Sequence, residues 1–269
     1  MAILCLGSLL RGSAEPLALR LHDDGTLTGE DRESLDAALG APEVVPRAAA
    51  DERVVEVLAA RPALAAFRRA NPLALKLIDA VLYAGDELAY CDTDVLFLRG
   101  FSGLFPLDAG AVFMSDRQNA YSLRSWHFLK HRRLRLPRQV NSGVLQFPTA
   151  AWDPDLLEWY VARPEHGFAP VWMEQTAWAL LGGRAGCRRF DPVQIAIPTR
   201  EPAEGPIPEE LVALHFVGPV RGLLDSWAVR SSPADCGPAA QIRRVSAGRC
   251  GVLGLAATEI RRRLGRLSA

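Results

Sequence analysis

The spacing of apolar and polar positions changes several times along the chain, and each change predicts an element. Residues 6–11 read as the end of a small apolar helix. In residues 17–22 apolar side chains alternate with others, a strand pattern, and the turn signal Asp23-Asp24-Gly25-Thr26 ends it. Thr28 is the expected N-cap of a polar helix through Leu39, and residues 43–46 form a short strand. Helical periodicity runs through 51–60, 63–70 and 73–83, with Pro62 and Pro72 as first-turn prolines. An apolar run then climbs to Cys91, is cut by Asp92-Thr93-Asp94, and resumes as Val95-Leu96-Phe97-Leu98. Further strands are predicted at 110–116, 144–147 and 211–217, the last delivering His215 near its end. Helices are predicted from Asp153-Pro154 through Val161, over 174–181, and over 252–266 with a basic tail. Strands alternating with helices predict an α/β layered fold with a mixed, mostly parallel central sheet flanked by helices.

Composition narrows the class without naming a function. A chain of 269 residues suffices for one large domain or two small ones. The formal net charge is +0, so there is no global electrostatic case for a nucleic-acid or membrane partner. No apolar run approaches the ~18 residues needed to span a bilayer. The start, MAILCLGSLL, is short and lacks a basic leader, so it is not read as a signal peptide. Cys5, Cys91, Cys187, Cys236 and Cys250 form no CxxC pair, which favours reduced thiols and a cytoplasmic setting. Residues 124–138 are a basic run without an acid. They read as a solvated arginine-rich segment, or as a surface for anionic acceptors or for peripheral contact with a membrane.

Candidate chemistry centres on the interrupted apolar run. Carboxylates are costly to bury unpaired. Asp92 and Asp94 are hard oxygen donors suited to Mn²⁺ or Mg²⁺, and such an ion could carry a nucleotide diphosphate. In extended chain, positions i and i+2 point the same way, so both carboxylates could face one site. The alternative is an ordinary turn. A second triplet, Asp153-Pro154-Asp155, reads instead as an N-cap with proline at the first helical position. His215 is either a core histidine or a metal ligand. Asn141-Ser142-Gly143 is either a turn entering a strand or a place where backbone approaches a sugar. Glu174-Gln175 either favours a helix N-terminus or grips sugar hydroxyls. His22-Asp23-Asp24-Gly25-Thr26 resembles the DxDGT loop of haloacid-dehalogenase phosphatases, but the nucleophile position is His22, which leaves a polar turn as the better reading. His22, His127, His131 and His166 lack settings like that of His215.

Taken in order, Lys76, YCDTDVLF at 90–97, NSGVLQF at 141–147, EQTAWAL at 174–180 and HFVGP at 215–219 resemble the GT-A glycosyltransferases. Most of all they resemble the glycogenin and lipopolysaccharide galactosyltransferase-like group, family 8. The likeness covers residues 73–227. It implies a GT-A-like domain over 1–230 followed by a C-terminal helical tail over 231–269. It also implies metal-dependent sugar transfer from a nucleotide-diphosphate donor to a hydroxyl acceptor, with retention. Asp92 and Asp94 would bind Mn²⁺ (or Mg²⁺) and the donor, with Thr93 between them and His215 as third metal ligand. Lys76 would contact the nucleotide sugar, and Asn141, Ser142 and Gly143 would line the sugar pocket. Glu174 would hold sugar hydroxyls, Gln175 would stabilise developing positive charge, and Gly218 would let its loop approach the diphosphate. Two departures go with the likeness. The group has a base-cradling strand ahead of residues 6–11, and this chain starts too late to contain all of it. Where the group follows H-x-x-G with Lys-Pro-Trp, the nearest candidates here are Arg221 and Trp227. The other readings are a catalytically weak sugar-nucleotide-binding relative and a nucleotidyltransferase on the same fold.

Overall fold

A computed structural model of the protein describes residues 1–107, 109–131, 133–163, 170–201, 204–230 and 238–267. Arg132, His166, Cys236 and parts of 231–269 lie outside them. The chain opens with α1 (Ala2–Gly12), β1 (Arg20–His22), α2 (Gly29–Leu39), β2 (Glu43–Val45), α3 (Arg47–Leu58), α4 (Pro62–Ala70) and α5 (Ala74–Tyr83). Side-chain caps set several element ends. Thr28 and Asp31 form a capping box on α2, and Gly40 closes that helix at φ 76°. α3 begins at Arg47, ahead of the expected 51, because Pro46 supplies a ready-made N-cap φ of −65°. The first turn of α4 is capped from a distance: Glu158 accepts from the N–H groups of Ala63 (3.1 Å) and Leu64 (2.7 Å). After β1, Asp23 Oδ1 accepts from the Gly25 and Leu27 N–H groups, so this stretch is the polar turn.

The second half runs β3 (Glu87–Cys91), β4 (Val95–Phe97), β5 (Phe101–Ser102), β6 (Val112–Ser115), α6 (Ser125–Lys130) and β7 (Val140–Pro148). It continues with α7 (Pro154–Val161), α8 (Met173–Ala185), β8 (Arg188–Phe190), β9 (Ile195–Ala196), β10 (Ala213–His215) and α9 (Leu224–Arg230). β11 (Ala240–Gln241), β12 (Arg244–Ser246) and α10 (Val252–Leu267) close it. Asp153 caps α7 by accepting from the Leu156 N–H at 2.8 Å, with Pro154 next, so the second acidic triplet is indeed a helix start.

The central sheet has the order β12-β8-β6-β7-β3. It is mixed, as expected, but its parallel share is smaller than expected. Only β6 and β8 pair in parallel, whereas β12–β8, β6–β7 and β7–β3 are antiparallel. Parallel neighbours need a long crossover. The β7-to-β8 connection through α7 and α8 returns the chain parallel to β6, while β6 and β7 are joined with only the short α6 between them. Both faces of this sheet are covered. Leu145 and Phe147 of β7 pack with Phe113, Ile78 and Trp178 beneath α5, α7 and α8. Their neighbour Val144 packs on the other side with Val112, Phe97 and Phe190. Strands buried on both faces are continuous apolar runs rather than alternating ones. That is the pattern of β7, where every residue but the last is buried.

Smaller sheets complete the frame. β4-β10-β9 stands beside the central sheet, β1 and β2 form a parallel pair, and β11 pairs with β5. The segment after residue 238 therefore contributes strands to two sheets before its helix. A cleft of about 1070 Å³ lies between β3 and α5 on one side and α1, β1 and α2 on the other. Leu6, Leu10, Leu19, Leu21, Leu35 and Leu39 border it, and the Asp92–Asp94 turn opens into it.

Candidate functional site

Backbone pairing assembles the site. β3 runs antiparallel to β7 with Cys91 opposite Val144, and the Asp92 N–H donates to the Gly143 carbonyl at 2.7 Å. β10 runs antiparallel to β4 with His215 opposite Val95, and the Phe216 N–H donates to the Asp94 carbonyl at 2.8 Å. The turn Asp92-Thr93-Asp94 thus joins the central sheet to the small one. The carboxylates converge because the turn wraps them, with the Val95 N–H bonded back to the Asp92 carbonyl at 3.3 Å; they are not alternate positions of one strand. One ligand atom each from Asp92, Asp94 and His215 lies within 4.8 Å of the others. His215 Nε2 is 3.0 Å from Asp94 Oδ1 and 3.6 Å from Asp92 Oδ2. Two carboxylates and an imidazole make a donor set that could hold a divalent cation.

Behind this group lies a hydrogen-bonded relay of amides. The Gly143 N–H donates to Asn141 Oδ1 at 2.8 Å, which identifies that atom as the oxygen. Asn141 Nδ2 then donates to Gln175 Oε1 (3.0 Å) and Asp116 Oδ2 (3.2 Å). Gln175 Nε2 donates to the Ala120 carbonyl (3.0 Å) and to Asp116 Oδ2 (3.3 Å). Asn141 Oδ1 also sits 3.0 Å from His215 Nδ1, so it accepts the ring's Nδ1–H and leaves Nε2 facing the carboxylates. β7 is irregular here: Phe113 pairs with Leu145 but Met114 with Asn141, which bulges Ser142, Gly143 and Val144 away from β6. A side chain at Gly143 would overlap the His215 ring, so glycine is what lets the imidazole lie against the bulge.

The charges are strongly coupled. Lys76, buried on α5, bridges Asp92 Oδ2 (3.1 Å) and Glu174 Oε2 (3.4 Å), while Tyr90 donates to Asp92 Oδ1 (2.9 Å). Burial opposes the Lys76 charge, but Asp92 and Glu174 outweigh it and raise the ammonium above its usual range. Glu174 accepts from Ser142 at 3.1 Å through Oε2, and its Oε1 has no hydrogen-bond partner among the described residues. Burial first, then the Asp92 charge, push its carboxyl up to about 7, against the pull of Lys76 and Ser142. Burial pushes Asp94 up as well. There His215 and the Arg221 guanidinium, 2.7 Å from Oδ2, outweigh it and hold the carboxyl at about 2.

Of the residues expected at a site, Lys76, Asp92, Thr93 and Asp94 border the cleft. Asn141, Ser142, Gly143, Glu174, Gln175 and His215 are brought together immediately behind them, all buried. Gly218 is exposed with φ 43° and opens the 3-10 turn Gly218–Leu223, which carries Arg221 to Asp94 and the cleft. Trp227 is packed into an apolar cluster instead. Sequence reading missed Tyr90 and Asp116. Tyr90, in β3, lies two positions before Asp92 and could have been found by alternation. Asp116 follows the last residue of β6, the strand end where ligands of open α/β sheets gather.

No protein-family model and no curated protein sequence matches the chain. Among solved structures, the chain is similar to mouse xyloside xylosyltransferase 1 in its apo form. The TM-score is 0.51 at 14% identity, over 80% of this chain and 90% of that one. The likeness is one of fold: an α/β arrangement of GT-A type.

Proposed function

We propose that the protein is a metal-dependent glycosyltransferase of the kind found in family 8, moving a sugar from a nucleotide-diphosphate donor to a hydroxyl acceptor with retention. The observation that carries the reading is the Asp92–Asp94–His215 group, whose two carboxylates line a large cleft, in a chain of glycosyltransferase-like fold. A bound Mn²⁺ (or Mg²⁺) would be held by those three side chains and would neutralise charge on the departing nucleotide diphosphate. Lys76 fixes the Asp92 carboxylate and lends positive charge to the cleft wall. Arg221 is positioned to exchange its partner Asp94 for a phosphate oxygen. Glu174, held by Ser142, backs Lys76 from behind the cleft wall, and Gln175 orients Asn141. Hydrolysis of UDP- and GDP-sugars with and without Mn²⁺, comparing wild type with Asp94→Asn, tests the assignment. Unchanged metal-dependent turnover in the variant would remove the metal site from the reaction.

A second reading is donor binding without turnover. It is favoured by one observation: Glu174 and Gln175 lie behind Lys76 and do not border the cleft. Calorimetric titration with UDP and GDP separates the two. Binding without hydrolysis supports the second reading, and no binding sinks both.

A further inference from the structure

The last helix carries an apolar stripe on the side turned away from the protein body. Leu253, Ile260 and Leu264 are 85%, 57% and 58% exposed. Their spacing is i, i+7 and i+11, so at about 100° per residue they share one line along α10. Leu255 and Thr258, both buried, fall on the opposite side, against the body. The helix is therefore already anchored by one face while a second, apolar face stays in water. Arg261 and Arg263 are exposed and flank that outer stripe on its two sides.

The neighbouring helix extends the surface. α6 packs against α10, and the Ser125 N–H donates to Glu259, the one acid of α10. Trp126 on α6 is 48% exposed, with the Lys130 ammonium 6.0 Å from its ring centroid. In sequence, residues 124–138 hold five arginines and one lysine with no acid, although the whole chain has a net charge of +0. Lys130 beside Trp126, and Arg261 and Arg263 beside the stripe, thus put positive charge next to exposed apolar side chains, and the one acid of α10 is turned to the α6 backbone.

We infer that α6 and α10 form a docking surface for an anionic phospholipid bilayer, with α10 lying in the plane of the interface. An outward apolar stripe bordered by arginines, with a tryptophan beside it, matches what interfacial helices use: apolar side chains enter the headgroup boundary and cations remain at lipid phosphates. No described helix is long and apolar enough to cross a membrane, so the attachment is peripheral. A second copy of the chain is a poorer occupant, because self-pairing would set these arginines against one another. The inference is independent of the reaction assigned above.

Flotation of the full chain with phosphatidylcholine vesicles, with and without phosphatidylglycerol, tests it. The wild type floats with the anionic vesicles, stays behind with the neutral ones, and is released by high salt. Leu253→Glu with Ile260→Glu lowers partition roughly tenfold or more. Arg261→Glu with Arg263→Glu, which leaves the apolar stripe intact, lowers it at least about fivefold per site. Circular dichroism checks that both variants keep the wild-type fold. No flotation of the wild type, equal flotation on neutral vesicles, or unchanged flotation of both variants overturns the proposal. So does sedimentation showing that the wild type self-associates through this face without binding lipid.

Discussion

Glu174→Gln in metal-free protein turns the electrostatics of the buried cluster into a measurable slope. The wild-type carboxyl is buried, its Oε1 has no partner among the described residues, and burial pushes it up to about 7 from its ordinary 4.5. The folded state therefore holds this proton more tightly than the unfolded chain does. The resulting stability is complete below pH 4.5 and is lost as pH rises through about 7. At 1.36 kcal/mol per pH unit, the difference between 4.5 and about 7 amounts to about 3 kcal/mol. Glutamine keeps the shape and an oxygen for Ser142 but cannot ionise. The substitution also removes a partner of Lys76, whose ammonium retains Asp92 at 3.1 Å; that fixed cost cancels when one variant is compared with itself across pH. Urea unfolding at pH 5 and pH 8, with chelator present, should show the variant gaining about 2–3 kcal/mol on the wild type between the two. In thermal melts this is roughly 6 °C for a chain of this size. Parallel stability curves, differing by a constant, would refute the argument that Glu174 is charged at a cost in the folded state.

Three further outcomes are expected. Asn141→Ala should weaken Mn²⁺ binding by about 10–100-fold, yet by less than about twofold in a His215→Ala background; equal losses in both, measured by electron paramagnetic resonance of free Mn²⁺, would show that Asn141 does not act through the ring. Gly143→Ala should displace the His215 imidazole and cost at least about tenfold in the same assay while circular dichroism stays unchanged; wild-type affinity would rule out the close packing of ring on backbone. Glu158→Ala should destabilise the fold by about 1–2 kcal/mol in urea by uncapping α4, and a loss too small to measure would mean that water replaces the cap.

Much of the fold could be read from the chain because its signals are local. Thr28 and Asp153 announce helix starts through their own hydroxyl and carboxylate, and Pro62 and Pro154 fit only a first turn. Where ends are set by distant partners, the sequence is silent: Glu158 caps a helix 95 residues earlier. The sheet's hand of pairing was equally hidden, since a buried apolar strand looks the same beside a parallel or an antiparallel neighbour. At the site, the order of Lys76, Asp92, Asp94, Asn141, Glu174 and His215 was legible, and the structure brings them together. Their connections were not. That Asn141 and Gln175 bond to each other, and that Asn141 bonds to the histidine, depends on a β-bulge whose only trace in the sequence is a glycine.

The pairing of β10 with β4 also limits how this region can vary. Successive residues of β10 serve different masters: Ala213 packs into one core and Leu214 into another, while His215 turns to the carboxylates. Sliding the strand by one residue would exchange those faces. Leu214 or Phe216 would then meet Asp94, and the imidazole would enter an apolar cluster. A change of length between β9 and β10 is thus compatible with the site only if the strand keeps its parity against β4. An insertion absorbed in the loop leaves the site intact, whereas the same residue taken into β10 erases it.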